Sequence, residues 1–279
     1  MTARQHGLAL IAVLWMIAAL GLIATSMMQT VRTEAGITAR TRDVVLAAAL
    51  GESAMQLALQ AVVSSGVLPD KLMRDTITYA EVAVAVQLTP LNGFIDINKA
   101  PVELLQQMLQ IAGGLPQDRA GVLAQAIVEH RATMGPGGKP DLFEAPDDLL
   151  RVIGLDYPIY AQVASLVTTD AGGSGRVNPL VAPPQVLRVL TSGNDAAVAN
   201  FVAGRDAGQI GLDQSAMNSA WLDVAGASAV ELQAVVPLAD GGAARVVRRY
   251  LLGKTDGDGL PWRVFYAESF FAPPVVSGH

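Results

Sequence analysis

Cysteine is absent from this 279-residue chain, so neither a disulfide framework nor a thiolate-held metal can form. Histidine is scarce: His6, His130 and His279 are far apart and two lie near the ends, which argues against a histidine triad or a histidine-built zinc site. Charge is sparse too. Only 16% of residues are charged against 51% hydrophobic, an apolar fraction high for a soluble protein. The net charge of −6 gives no long-range attraction to phosphate backbones, so a nucleic-acid partner would need a local basic patch. No G-x-S-x-G, H-E-x-x-H or phosphate-binding loop occurs, and the acid pairs present are those of any chain this long. An enzyme is therefore not expected.

What is present begins with an uncharged run from Gly7 through Val31. At ~1.5 Å per residue it forms roughly 37 Å of helix, enough to cross a hydrocarbon core of ~30 Å. That is too long for a cleaved secretory signal, whose apolar region spans about 7–15 residues. Arg4 precedes the run while Arg32, Arg40 and Arg42 follow it, so the positive charges do not fix orientation. No proline occurs before Pro69. Ala47, Leu50, Ala54, Leu57, Ala58 and Ala61 recur at three- and four-residue steps and form one apolar face. The pattern reads as a helix over 8–65, its first half suited to lipid and its second to a globular head. An anchor helix followed by a separate juxtamembrane helix is the alternative.

Beyond Ser65 the periodicity changes. TITYAEVAVAVQL (76–88) contains alternating Val82, Val84 and Val86 and reads as a strand; GFIDIN (93–98) reads as a partner strand or an extended lead-in. From about Lys99 to Gly208 the pattern is helical, broken at MGPGGKP and DAGGSG. The tail alternates again in AVELQAVVPL, AARVVRRYLLG and WRVFYAESFF, joined by the turn segments ADGG and KTDGDG. Strand signals thus flank a helical middle, which predicts an α+β protein: an antiparallel sheet with an all-α domain inserted into it.

The helical middle repeats itself. APVELL (100–105), APDDLL (145–150) and APPQVL (182–187) each place Ala-Pro before two mostly polar residues and two aliphatics. Proline suits a first helical turn, and Glu103, Asp147 and Asp148 suit the positive end of the helix dipole. Asn98 and Asn178 stand upstream as capping or turn residues. Asp141, Glu144, Asp147 and Asp148 form an acidic cluster that helix capping explains. Asp256 and Asp258 in KTDGDG are candidate calcium ligands, although one loop supplies too few oxygens for a six-to-eight-ligand ion and a plain glycine-aspartate turn accounts for it.

The leader MTARQHG followed by LALIAVLW resembles a type IV pilin-like signal. The resemblance implies cleavage of the Gly7–Leu8 bond by a prepilin peptidase, methylation of the new N-terminus at Leu8, and assembly through a helix that includes Ala12, Val13, Leu14 and Trp15. Most members of that superfamily carry glutamate as the fifth mature residue, where this chain has Ala12. A carboxylate in the bilayer costs roughly 2.5–3.5 kcal/mol and is retained where it pairs, in such assemblies with the methylated amine of the next subunit. A subunit lacking it has lost one pairing in the stack, which fits an end position. GspK-type minor pseudopilins of type II secretion systems are similar in lacking this glutamate. INKAPVELL (97–105) and, with two extra residues, VNPLVAPPQVL (177–187) also resemble that family, as do Arg131 and Phe143 in AIVEHRATMGPGGKPDLFEAPDDLL.

The resemblance implies a leader over 1–7, a transmembrane and assembly helix over 8–65, a pilin-like antiparallel sheet from 66–97 and 209–279, and an inserted helical domain over 98–208 related to helix-hairpin-helix folds. It implies an inner-membrane, single-pass protein with a periplasmic head. The expected partners are other minor pseudopilins, the major pseudopilin, the prepilin peptidase, the inner-membrane assembly platform and exported substrates, with no nucleic acid. No cofactor is required, and a structural calcium ion is compatible. The alternatives are a membrane-anchored adaptor or a helix-hairpin-helix DNA-binding protein. The stretches QIAGGLPQDRA and RVIGLDYP are poor phosphate hairpins, the second being crowded by acids.

Overall fold

Arg40–Ser65 is helical throughout and is here termed α1. Ala47, Ala54, Met55, Leu59 and Val62 recur on one face and are buried, as a 3.6-residue period requires for one wall of a core. The computed structural model describes residues 40–135, 138–238, 240–253 and 259–272. The sequence features at 1–39, including the uncharged run, lie outside them.

The buried face of α1 rests on a five-stranded antiparallel sheet in the order β1-β2-β5-β6-β7. Its strands are β1 (Met73–Tyr79), β2 (Val82–Pro90), β5 (Ala229–Pro237), β6 (Ala243–Leu252) and β7 (Trp262–Ala272). Alternation decides which side chains meet the helix: Val84, Val86 and Leu88 of β2, Leu232, Ala234 and Val236 of β5, and Ala244 and Val246 of β6. Gly51 lets α1 approach closely, since a Cβ there would lie 3.0 Å from Val246 Cγ2. Tyr250 is fully buried beneath Met55, its hydroxyl 4.0 Å from the Met55 sulfur, and burial pushes its pKa up to about 12.

The stretch expected as one strand over 76–88 is two. Ala80 and Glu81 have φ of 47° and 65°, so the chain reverses there and β1 pairs with β2 from Tyr79↔Val82 to Met73↔Leu88. Two successive left-handed residues are the requirement of the tight hairpin turn that matches strand twist. Neither position carries the glycine or asparagine by which such turns are recognised in a sequence.

Between β2 and β5, which are hydrogen-bonded neighbours, the chain builds a second core. Its α-helices are α2 (Val102–Ile111), α3 (Gln117–Ala132), α4 (Tyr157–Val163), α5 (Pro184–Leu190) and α6 (Asp195–Asp206). A two-residue parallel pair, β3 (Ile95–Asp96) with β4 (Val167–Thr168), lies among them, so GFIDIN leads into this unit rather than joining the large sheet. The first and third Ala-Pro segments start α2 and α5, whereas APDDLL starts a 3-10 helix over Pro146–Arg151. This core draws on Ile95 at one end and on Met217 and Trp221 at the other, and so extends past residue 208.

Candidate functional site

The segment 97–101 is held by side chains that converge from distant positions. Arg131, near the end of α3, donates from Nη1 to the Ile97 carbonyl and from Nη2 to the Ala100 carbonyl, both at 2.8 Å. The planar guanidinium suits two carbonyls presented side by side, which a lysine could not match. Asn98 does not cap α2. Its amide nitrogen donates to the carbonyls of Phe143 and Thr169, and its oxygen accepts from the Phe143 N–H, tying three loops together. Beneath them Asp96 is almost wholly buried and accepts from the N–H groups of Asn98 and Ala171, with the Lys99 ammonium 4.0 Å away. Burial raises the Asp96 pKa above the ordinary carboxylate value, against the pull of those N–H donors and of Lys99.

A second loop of the same design follows, with Asn178 80 residues after Asn98. Asn178 makes an Asx turn by accepting from the Leu180 N–H, and Arg205 of α6 donates to the Ala182 carbonyl at 2.7 Å. Arg205 thus does for α5 what Arg131 does for α2. The sequence signal was an Ala-Pro helix start with an arginine one helix later. The amide nitrogen of Asn178 donates to the Asp70 carbonyl, which joins this unit to the segment that connects α1 to β1. Glycines complete the join. A Cβ on Gly93 would come within 2.7 Å of the Val181 carbonyl oxygen, and Gly172, at φ +63°, abuts the Ala229 backbone.

The acidic cluster is structural. Asp148 accepts from the N–H groups of Glu144 and Ala145; burial works to raise its pKa, but those donors and Arg151 outweigh it and hold the carboxyl low. Asp141 pairs with Arg151 at 3.1 Å, and His130 stacks on Phe143 with ring centroids 4.8 Å apart. Among the described residues no group of three or more His, Asp or Glu is placed to hold a metal ion. Asp256 and Asp258 lie outside the described residues, as do Gly7, Leu8, Ala12, Val13, Leu14 and Trp15.

The helical hairpins are poorly suited to phosphate. Asp118 and Asp195 occupy the first turns of α3 and α6, where a phosphate would have to sit, and Arg188 beside the second is paired with Asp195 at 3.1 Å.

Apolar grooves flank α1. Val45, Leu46 and Leu57 are exposed along its outer ridge. Between its C-terminal half and β1 runs a groove of about 450 Å³ lined by Leu57, Ala61, Val67, Leu68, Met73 and Ile77, among others. On the other flank a groove of about 480 Å³ separates Gln56, Gln60 and Ser64 from Leu260, Pro261 and Trp262. Within the described residues, α1 is also the one helix long and apolar enough to cross a membrane, while its inner face is committed to the sheet. The ridge and grooves offer apolar contact surface. No family model and no curated protein matches the chain.

Proposed function

We propose that the chain is a GspK-type minor pseudopilin, anchored in the inner membrane with its head in the periplasm. In this reading it is processed after Gly7, assembles at the pseudopilus tip with other minor pseudopilins, and starts or caps the filament during protein export. The observation that carries the reading is a helix, α1, packed on an antiparallel sheet and preceded in sequence by the uncharged run Gly7–Val31 and its glycine-ended leader. Three features support it. Ala12 stands where the superfamily has glutamate. The helical unit lies between adjacent strands β2 and β5, as a domain inserted into a pilin-like sheet would. Asn98 and Arg131, residues on which the family resemblance rests, meet at one node of that unit. A bulky helical unit fits a tip, where no neighbour must stack above, better than a filament shaft.

The test is co-expression with a prepilin peptidase and two short pseudopilins. The chain should be shortened, and Gly7→Ala should leave it full length and lower recovery of the two partners at least tenfold. A precursor that stays uncut, with partner recovery indifferent to Gly7→Ala, overturns the reading.

A further inference from the structure

The two edges of the large sheet differ, and the difference points to a partner. β1 carries a guard against strand addition: Asp75 pairs with Val86 and therefore stands on the face turned toward α1, an inward charge of the kind that blocks edge association. β7 has no such device on that face. Val264 and Phe271 pair with Tyr250 and Ala244 and so face the α1 side; Tyr266 and Phe270 pair with Arg249 and Arg245 and face the opposite side. All four are substantially exposed, Phe270 to 48%, and Phe265, the extra residue at the bulge, is exposed as well. Among the described residues no strand pairs with the outer edge of β7.

Charge narrows the occupant. On the face away from α1, Arg249 is engaged by Glu231, and Glu268 accepts from the Tyr266 hydroxyl. Arg245, on β6 opposite Phe270, and Arg263, near the start of β7, have no ion-pair partner among the described residues and lie roughly 20 Å apart along the strand direction at ~3.3 Å per residue. A second copy would bring the same two arginines to the contact, which disfavours self-pairing. At the start of β7, Trp262 is 7% exposed and its indole N–H has no acceptor among the described residues, beside the groove it forms with Gln56 and Gln60.

We propose that β7 takes up an extended strand of a partner chain, added to the edge of the sheet, with alternating apolar side chains and carboxylates that meet Arg245 and Arg263. Backbone hydrogen bonds along β7 supply the pairing, and the exposed aromatic side chains supply contact on both faces. That this strand belongs to a neighbouring pseudopilin head rests on the reading above; the strand addition itself does not, nor does it depend on cleavage after Gly7.

The probe is a fluorescein-labelled ten-residue peptide alternating valine with threonine, bearing two glutamates six positions apart on the threonine face. A second peptide carries lysines at those two positions. With the full chain in detergent micelles, the glutamate peptide should bind saturably and at least tenfold more tightly than the lysine peptide. Phe271→Asp, at an exposed site on the α1 side where it places on β7 the kind of inward carboxylate that Asp75 supplies on β1, should weaken it tenfold or more. The double variant Arg245→Glu with Arg263→Glu should reverse the peptide preference, while Tyr79→Lys on β1 should change nothing. Absence of binding, equal binding of both peptides, or indifference to Phe271→Asp overturns the proposal. So does sedimentation showing a dimer of the chain that Phe271→Asp dissolves, which would make a second copy the occupant.

Discussion

Arg131 shows how much a single side chain holds. It satisfies two backbone carbonyls at the start of α2, and charged hydrogen bonds contribute about 1.5–3 kcal/mol each, less when a water can substitute. Arg131→Ala should lower stability by about 2–4 kcal/mol, and Arg131→Lys should recover no more than half of that loss, read from urea unfolding of the chain in detergent. Asp96 adds a pH dependence of defined sign. Burial raises its pKa in the fold, so protonation favours the folded state. Its contribution is complete below the ordinary carboxylate pKa and is lost as pH rises through the native value. Asp96→Asn removes that titration while costing one N–H acceptor. The variant should therefore be most handicapped near pH 4 and less so toward neutrality, measured from urea midpoints across that range. A handicap that grows with pH would mean that the fold prefers the anion.

At the scale of elements, the β1–β2 hairpin is the clearest departure from local preference. Ala80 and Glu81 both occupy left-handed backbone, which costs a non-glycine residue roughly 1–2 kcal/mol. Replacing the pair by Asn-Gly (Ala80→Asn with Glu81→Gly) should stabilise the chain by about 1 kcal/mol, visible as a higher denaturant midpoint; an unchanged or lower midpoint would mean that the turn is not strained. The same turn explains what the sequence could and could not disclose. The helix ending at Ser65, the three C-terminal strands and the Ala-Pro starts of α2 and α5 follow from periodicity and capping, which are local. The turn at Ala80 is imposed by pairing across the hairpin and leaves no mark in residue type. The role of Asn98 is likewise set by loops 45 and 71 residues away, so its position before α2 suggested a cap that it does not make. Arg205 was legible only once Arg131 had been seen to hold the equivalent carbonyl.

For the whole molecule, two cores share one short junction. One core lies between α1 and the sheet, and the other gathers residues from Ile95 to Trp221. Asn178 to Asp70, Ser228 to Gly172 and the close backbone approaches at Gly93 and Gly172 fix them to one another. A head joined in this way presents two separate contact regions: the ridge and grooves along α1, suited to neighbours carried on similar helices, and the free edge of β7, suited to an added strand. In the pseudopilin reading proposed above, the chain enters its assembly only after its leader is removed. The most direct test is therefore intact-mass and N-terminal peptide mass spectrometry of the chain isolated from a host that supplies a prepilin peptidase. The expected result is a mature chain beginning at Leu8 with one methyl group on its amine; a chain that still begins at Met1, or is cut elsewhere in the 8–31 run, would contradict the pseudopilin reading.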